Sequence, residues 1–162
     1  MPVELYHLIA FLISVTFVLW TIPDVKTLGL KLGIVDRPNA RKIHQNPVVR
    51  VGGVSIFAGT IAALVIVWLL GGFSALAPDK VTEVWAVIIG SILFFGIGFA
   101  DDLFNLTPTS RLLMQVAVAT GCWSMGVRID FVSFPIYSLV KIYWLSLPIT
   151  VVWLVGMANA IN

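Results

Sequence analysis

Charge is what this sequence has least of. Only 11% of its 162 residues are charged while 59% are hydrophobic, and mean hydropathy is +1.02. A soluble domain carries about a quarter charged residues, so this chain cannot cover itself with a water-facing surface. The formal net charge of +2 gives no reason to expect a nucleic-acid partner. Cysteine is nearly absent: Cys122 stands alone in an apolar run, which excludes an intrachain disulfide and leaves the thiol to pack as a small apolar group. The N-terminal MPVELYHLIAFLISV has no Lys or Arg before its apolar run and no small-residue cleavage site after it. It therefore lacks the pattern of a secretory signal and reads as a retained first transmembrane helix. Internal repeats and low-complexity segments are absent as well.

Long apolar runs, by contrast, are plentiful. Five occupy approximately 4–23, 51–71, 84–100, 111–127 and 147–162. In lipid only a helix satisfies its own backbone hydrogen bonds within one segment, and roughly 20 apolar residues span the bilayer. The expected fold is all-α, a polytopic transmembrane helical bundle with about five helices over 1–162, the N-terminal part of a single membrane domain. Loop 24–50 holds six basic residues, Lys26, Lys31, Arg37, Arg41, Lys42 and Arg50, whereas 72–83 holds only Lys80. Excess Lys and Arg marks the cytoplasmic side. Alternation then places 24–50, 101–110 and the terminal NAIN on that face, and 72–83 and 128–146 on the other. The alternating pattern of 128–146 fits a short hairpin.

Three stretches could carry chemistry. Asp101 and Asp102 end the third apolar run in GFADDLFNL. Consecutive helical positions do not share a face, so both could grip one ion only in an irregular turn beyond Ala100. Adjacent carboxylates repel, and a divalent cation or a basic neighbour relieves this; the ordinary alternative is a helix end meeting water. The loop RPNARKIHQNPVVRVGG (37–53) offers Arg37, Arg41, Lys42 and Arg50 to phosphate, with His44 as an acid or base near neutral pH. Its ordinary alternative is a topology signal attracted to anionic lipid. In WLVGMANAIN, Asn159 and Asn162 lie at i, i+3 on one helical face, either as helix–helix glue or as a polar pocket. Ser55, Gly59 and Ala63 form a small-xxx-small stripe for close packing, and Gly90, Gly96 and Gly98 could act likewise. Trp20, Trp68, Trp85 and Trp144 suit interfacial anchors.

Together DRPNARKIHQNPVVRVGGVSIF (36–57), GFADDLFNLTPTSRLLMQ (98–115) and WLVGMANAIN (153–162) resemble the polyprenyl-phosphate sugar-1-phosphate transferase family, in its order and spacing. Members start O-antigen, teichoic-acid and peptidoglycan lipid intermediates; the 36–44 loop looks like the branch using UDP-N-acetylhexosamines, UDP-N-acetylglucosamine above all. The resemblance implies a multi-pass plasma-membrane enzyme, Mg²⁺-dependent and working at the cytoplasmic face, whose partners are polyprenyl phosphate, a UDP-sugar and membrane lipids. The lipid phosphate would attack the β-phosphate of the UDP-sugar and release UMP. Asp101 and Asp102 match the family's catalytic acidic pair and, with Asn162, its metal site. Asn159 and Asn162 match an Asn pair lining the nucleotide pocket. Arg37, Arg41, Lys42, His44 and Arg50 match the first cytoplasmic loop, with roles in phosphate contact. Oligomeric state is left open, with a homodimer as one option. Two departures stand out: Asn105 occupies a position where members often carry a charge, and the family's later metal ligand would lie beyond Asn162. The chain therefore looks like an N-terminal half, not expected to turn over by itself. Two other classes compete. A transporter would place charges mid-helix, and no apolar run here does so; a non-catalytic membrane scaffold would tolerate Asp101→Asn.

Overall fold

A computed structural model describes residues 2–36, 48–49, 52–74, 76–133 and 139–161. Five α-helices account for most of them: α1 (Val3–Lys31), α2 (Gly53–Leu69), α3 (Pro78–Phe104), α4 (Pro108–Ser124) and α5 (Ser146–Ile161). Short antiparallel pairs join some of these, β1 (Val35–Asp36) with β2 (Val48–Val49), and β3 (Phe131–Ser133) with β4 (Leu139–Lys141). The expected all-α bundle and the hairpin within 128–146 are both present. The chain forms two compact units, Met1–Ala75 and Leu76–Asn162.

The exterior is far more apolar than that of a water-soluble protein. The most buried side chains include small or polar ones, Ser55, Gln115, Ser146 and Thr150, whereas Trp20, Leu19, Trp68, Leu69, Trp85 and Val152 are exposed. Such an exterior would aggregate in water; in a bilayer it faces lipid, while Gln115, Ser146 and Thr150 turn inward to partners and Ser55 Oγ is buried without one. Among the described residues three helices, Val3–Lys31, Lys80–Phe104 and Tyr143–Ala160, are long and apolar enough to cross a membrane, while Gly53–Leu69 is a shorter apolar helix. This is a membrane protein.

In the first unit α1 and α2 run antiparallel, with Tyr6 Oη donating to the Leu70 carbonyl at 3.2 Å. Ser55, Gly59, Ala63 and Val67 form the buried stripe of α2. At Gly59 a Cβ would lie 2.8 Å from Val18 Cγ2 and 3.1 Å from the Ser14 carbonyl, so the expected small-residue contact is real. The helix α1 continues through Pro23 to Lys31, eight residues beyond the expected end of its apolar run. Bilayer thickness limits the apolar stretch, not the helix, and at about 1.5 Å per residue α1 outruns the ~30 Å hydrocarbon layer. Its extension carries Asp24, Lys26 and Lys31, all exposed. Thr27 Oγ1 donates to the Pro23 carbonyl at 2.8 Å within the extension.

In the second unit α4 lies against both α3 and α5. A Cβ at Gly90 would sit 2.5 Å from Cys122 Sγ, so the glycine admits the thiol, which also meets the Ala86 carbonyl at 3.6 Å. Gly96 and Gly98 do not repeat this role: a Cβ at either would meet nothing within 4 Å. The α4–α5 connection is tied down by buried polar groups. Trp123 Nε1 donates to Ser146 Oγ at 3.0 Å, Ser146 Oγ donates to Asp130 Oδ1 at 2.9 Å, and the Ile129 amide donates to Thr150 Oγ1 at 2.9 Å.

The two kinds of glycine separate experimentally. Gly59→Leu overpacks the α1–α2 contact and is expected to cost about 1–3 kcal/mol. Gly96→Ala is expected to be neutral or to stabilise by up to ~1 kcal/mol, through helix propensity alone. Thermal unfolding of the detergent-solubilised protein measures both.

Candidate functional site

The carboxylate pair lies in the last turn of α3, not in an irregular turn beyond Ala100, because the helix continues to Phe104. Successive helical residues are about 100° apart, so Asp101 and Asp102 leave the helix in different directions. The last turn of α3 contains no basic residue, and a helix C-terminus carries partial negative charge that disfavours carboxylates. Two acids at that end are an electrostatic cost that the helix does not itself relieve.

Relief for Asp101 comes from the next helix. Asn105 closes α3 in the left-handed conformation, φ 50°, with its amide bonded to the Asp101 carbonyl at 2.8 Å. Asparagine tolerates this conformation better than most residues with a side chain. Thr107 then caps α4, its Oγ1 accepting from the Ser110 amide at 3.2 Å, and Pro108 occupies the first helical turn, where its missing N–H costs nothing. Only residues 105–107 separate the two helices. The tight reversal brings Arg111, in the first turns of α4, across from Asp101: Nη1 lies 2.7 Å from Oδ2, with side chains 28% and 16% exposed. Part-buried and hydrogen-bonded, the pair is better insulated than an exposed surface bridge.

One turn further along α4 stands Gln115, only 6% exposed in an otherwise apolar stretch. Its Oε1 accepts from Asn159 Nδ2 on α5 at 2.6 Å, and the same Nδ2 donates to the Val155 carbonyl at 2.8 Å. Both donors of the Asn159 amide are thus engaged, which orients its oxygen away from these two contacts. Asp101, Arg111, Gln115 and Asn159 form one polar seam across α3, α4 and α5.

Of the sequence candidates, the seam includes Asp101 and Asn159, with Asp102 half-buried beside it in the same turn. Arg37, Arg41, Lys42, His44, Arg50 and Asn162 lie outside the described residues. Arg111 and Gln115 were not singled out from the sequence, although both lie within the GFADDLFNLTPTSRLLMQ stretch. The available signal was their i, i+4 spacing, which puts an Arg and a Gln on one face of an apolar helix, where polar groups are costly unless partnered.

The donor set bears on a metal. No cluster of three or more His, Cys, Asp or Glu occurs among the described residues. Mg²⁺ commonly takes one or two carboxylates and completes its shell with water and substrate phosphates. Asp101 and Asp102 diverge on the helix, so one carboxylate at most would serve a given ion, which suits an ion shared with a bound diphosphate better than a caged resident ion.

Residues 84–162, which contain the whole seam, match the profile of glycosyl transferase family 4. The chain is 34% identical over 155 residues to a Bacillus subtilis protein named "Probable undecaprenyl-phosphate N-acetylglucosaminyl 1-phosphate transferase", covering 95% of this chain and 41% of that protein. It is 29% identical over 143 residues to the Mycobacterium tuberculosis decaprenyl-phosphate N-acetylglucosaminephosphotransferase, covering 85% of this chain and 35% of that one. A Salmonella typhimurium undecaprenyl-phosphate alpha-N-acetylglucosaminyl 1-phosphate transferase is 31% identical over 94 residues, 58% of this chain and 23% of its own length. The chain thus spans well under half the length of these relatives. No solved structure gives a significant match.

The reversal that presents Arg111 to Asp101 depends on its two caps. Asn105→Val, forced to keep a positive φ, is expected to cost about 1–2 kcal/mol. Asn105→Gly should be tolerated, and Thr107→Ala should cost ~1 kcal/mol. Circular-dichroism melts in lipid nanodiscs check the order.

Proposed function

We propose, on the premise that this chain belongs to glycosyl transferase family 4, that it supplies part of an enzyme moving a sugar-1-phosphate from a UDP-sugar to a polyprenyl phosphate, with release of UMP. The sugar is N-acetylglucosamine, as in the names of the relatives, and the product starts a cell-envelope polysaccharide. The carrying observation is the acid pair at the unfavourable end of α3, with one acid engaged by Arg111. Natural proteins break a local rule of this kind chiefly at functional sites.

Phosphoryl transfer asks the protein for positioning and charge neutralisation rather than covalent chemistry. In this proposal Asp101 and Asp102 orient the polyprenyl phosphate for attack on the β-phosphorus, and one of them takes the lipid phosphate's remaining proton. When bound, Mg²⁺ would supply charge neutralisation for the diphosphate, with one carboxylate of the Asp101–Asp102 pair and Asn162 as its oxygen donors and the other carboxylate left to the lipid phosphate. Asn159 lines the nucleotide side. Arg37, Arg41, Lys42, His44 and Arg50 contact phosphates from the basic loop. The site faces the cytoplasm, as the Lys and Arg of loop 24–50 support. At a helix end the acids would lie at headgroup depth, where the lipid's own phosphate resides.

The test follows UMP release by the full-length protein in membranes containing polyprenyl phosphate, UDP-N-acetylglucosamine and Mg²⁺. Asp101→Asn and Asp102→Asn are each expected to lower turnover by about a hundredfold or more while the protein remains folded. Chelation should abolish release, and added Mg²⁺ should restore it. Undiminished activity in both variants would remove the acid pair from the site.

A further inference from the structure

Asp101 on α3 and Asn159 on α5 are each held by a residue of α4. Arg111 bonds Asp101 at 2.7 Å, and Gln115 bonds Asn159 at 2.6 Å. Arg111 and Gln115 are four residues apart, so they stack on one helix face with about 5–6 Å between their Cβ atoms. We propose that α4 is the positioning element of the site, with Arg111 setting the Asp101 carboxylate and Gln115 setting the Asn159 amide in one rigid frame. This rests on the transferase function proposed above.

Three observations favour positioning over simple helix adhesion. First, adhesion between α3 and α4 is already supplied by the Gly90–Cys122 contact and the three-residue reversal. A part-buried ion pair adds little to that, because the desolvation of both partners offsets most of their attraction. Second, Arg111 makes its contact through one guanidinium nitrogen to one carboxylate oxygen, Oδ2. That contact restrains the carboxylate at Oδ2 while Arg111 leaves its other oxygen unused. Third, Asn159 bonds the Val155 carbonyl of its own helix with one amide hydrogen, as Ser91 and Thr120 do with their hydroxyls, and has a second hydrogen to place. The second donor is spent on Gln115, and this selects one amide orientation. Without Gln115 the side chain keeps only a bond to its own helix and regains rotational freedom.

Neither Arg111 nor Gln115 need touch substrate to matter. A displacement of about 1 Å in a positioned group can cost a hundredfold in rate. Loss of the Arg111 contact should act on the chemical step, because Asp101 orients the acceptor phosphate. Loss of the Gln115 contact should act on nucleotide affinity, because Asn159 lines the nucleotide side.

The decisive experiment measures kcat and KM for UDP-N-acetylglucosamine with the full-length protein in membranes, alongside unfolding midpoints. Arg111→Gln is expected to lower kcat by about tenfold to a hundredfold with KM within about twofold. Gln115→Leu is expected to raise KM severalfold with a smaller change in kcat. The conservative variants, Arg111→Lys with its charge and Gln115→Glu with its accepting oxygen, should return each parameter most of the way. Should Gln115→Leu not fold, Gln115→Met, closer in shape, takes its place. Wild-type kinetics in Arg111→Gln and Gln115→Leu, or losses that only follow the amount of folded protein, would overturn the proposal and leave the transferase function standing. An inactive wild type would overturn both.

Discussion

In lipid a polar group has no solvent to fall back on, so each one must find its partner inside the protein. The second unit of this chain is organised by that constraint. Gln115 on α4 and Asn159 on α5 satisfy each other, Ser146 and Asp130 close the hairpin end with Trp123, and Thr150 takes up the Ile129 amide. Packing between the helices is otherwise supplied by small residues, such as Gly90 against Cys122. Bulky apolar residues are left to face outward, where they meet a medium as apolar as themselves. Contacts that would be second-rate in a soluble core thus become the specific ones.

At the end of the unit where α3 stops and α4 begins, the same constraint turns into chemistry. Carboxylates at a helix C-terminus are opposed by the backbone dipole, so the Asp101–Asp102 pair is a local liability that a purely structural helix end would avoid. Arg111 compensates one acid from across a short reversal, which itself needs a left-handed Asn105 and a capping Thr107. The phosphate-handling site proposed for this chain would use poised charge of this kind, a carboxylate partly neutralised and restrained by a neighbouring helix. Sequence similarity to proteins named for undecaprenyl and decaprenyl phosphates supports the proposed transferase function independently of the geometry.

Much of this was legible in the residues. Mean hydropathy and five apolar runs dictate a helical membrane bundle, because no other backbone arrangement available to such a chain satisfies its hydrogen bonds in hydrocarbon. Ser55, Gly59 and Ala63 announce a close helix contact by their spacing alone, and the alternation in 128–146 announces a hairpin. The acidic pair and Asn159 were visible because polar residues at the ends of apolar runs are few. The end of α1 was not legible, since hydropathy falls at Pro23 while the backbone hydrogen bonds continue to Lys31.

What the sequence determined by itself is the class of molecule and the identity of its unusual residues: short-range pattern, periodicity and transfer free energy suffice for both. What only the tertiary structure decided is which of those residues meet. Spacing marks Gly90, Gly96 and Gly98 alike, yet only Gly90 receives a neighbour. Asp101 and Asp102 are indistinguishable neighbours in the chain, yet the helix separates them by about 100° and Arg111 selects Asp101. Gln115 and Asn159 lie 44 residues apart, and no local rule couples them. Their pairing follows from how α4 and α5 pack, and packing is a property of the whole fold rather than of any stretch within it.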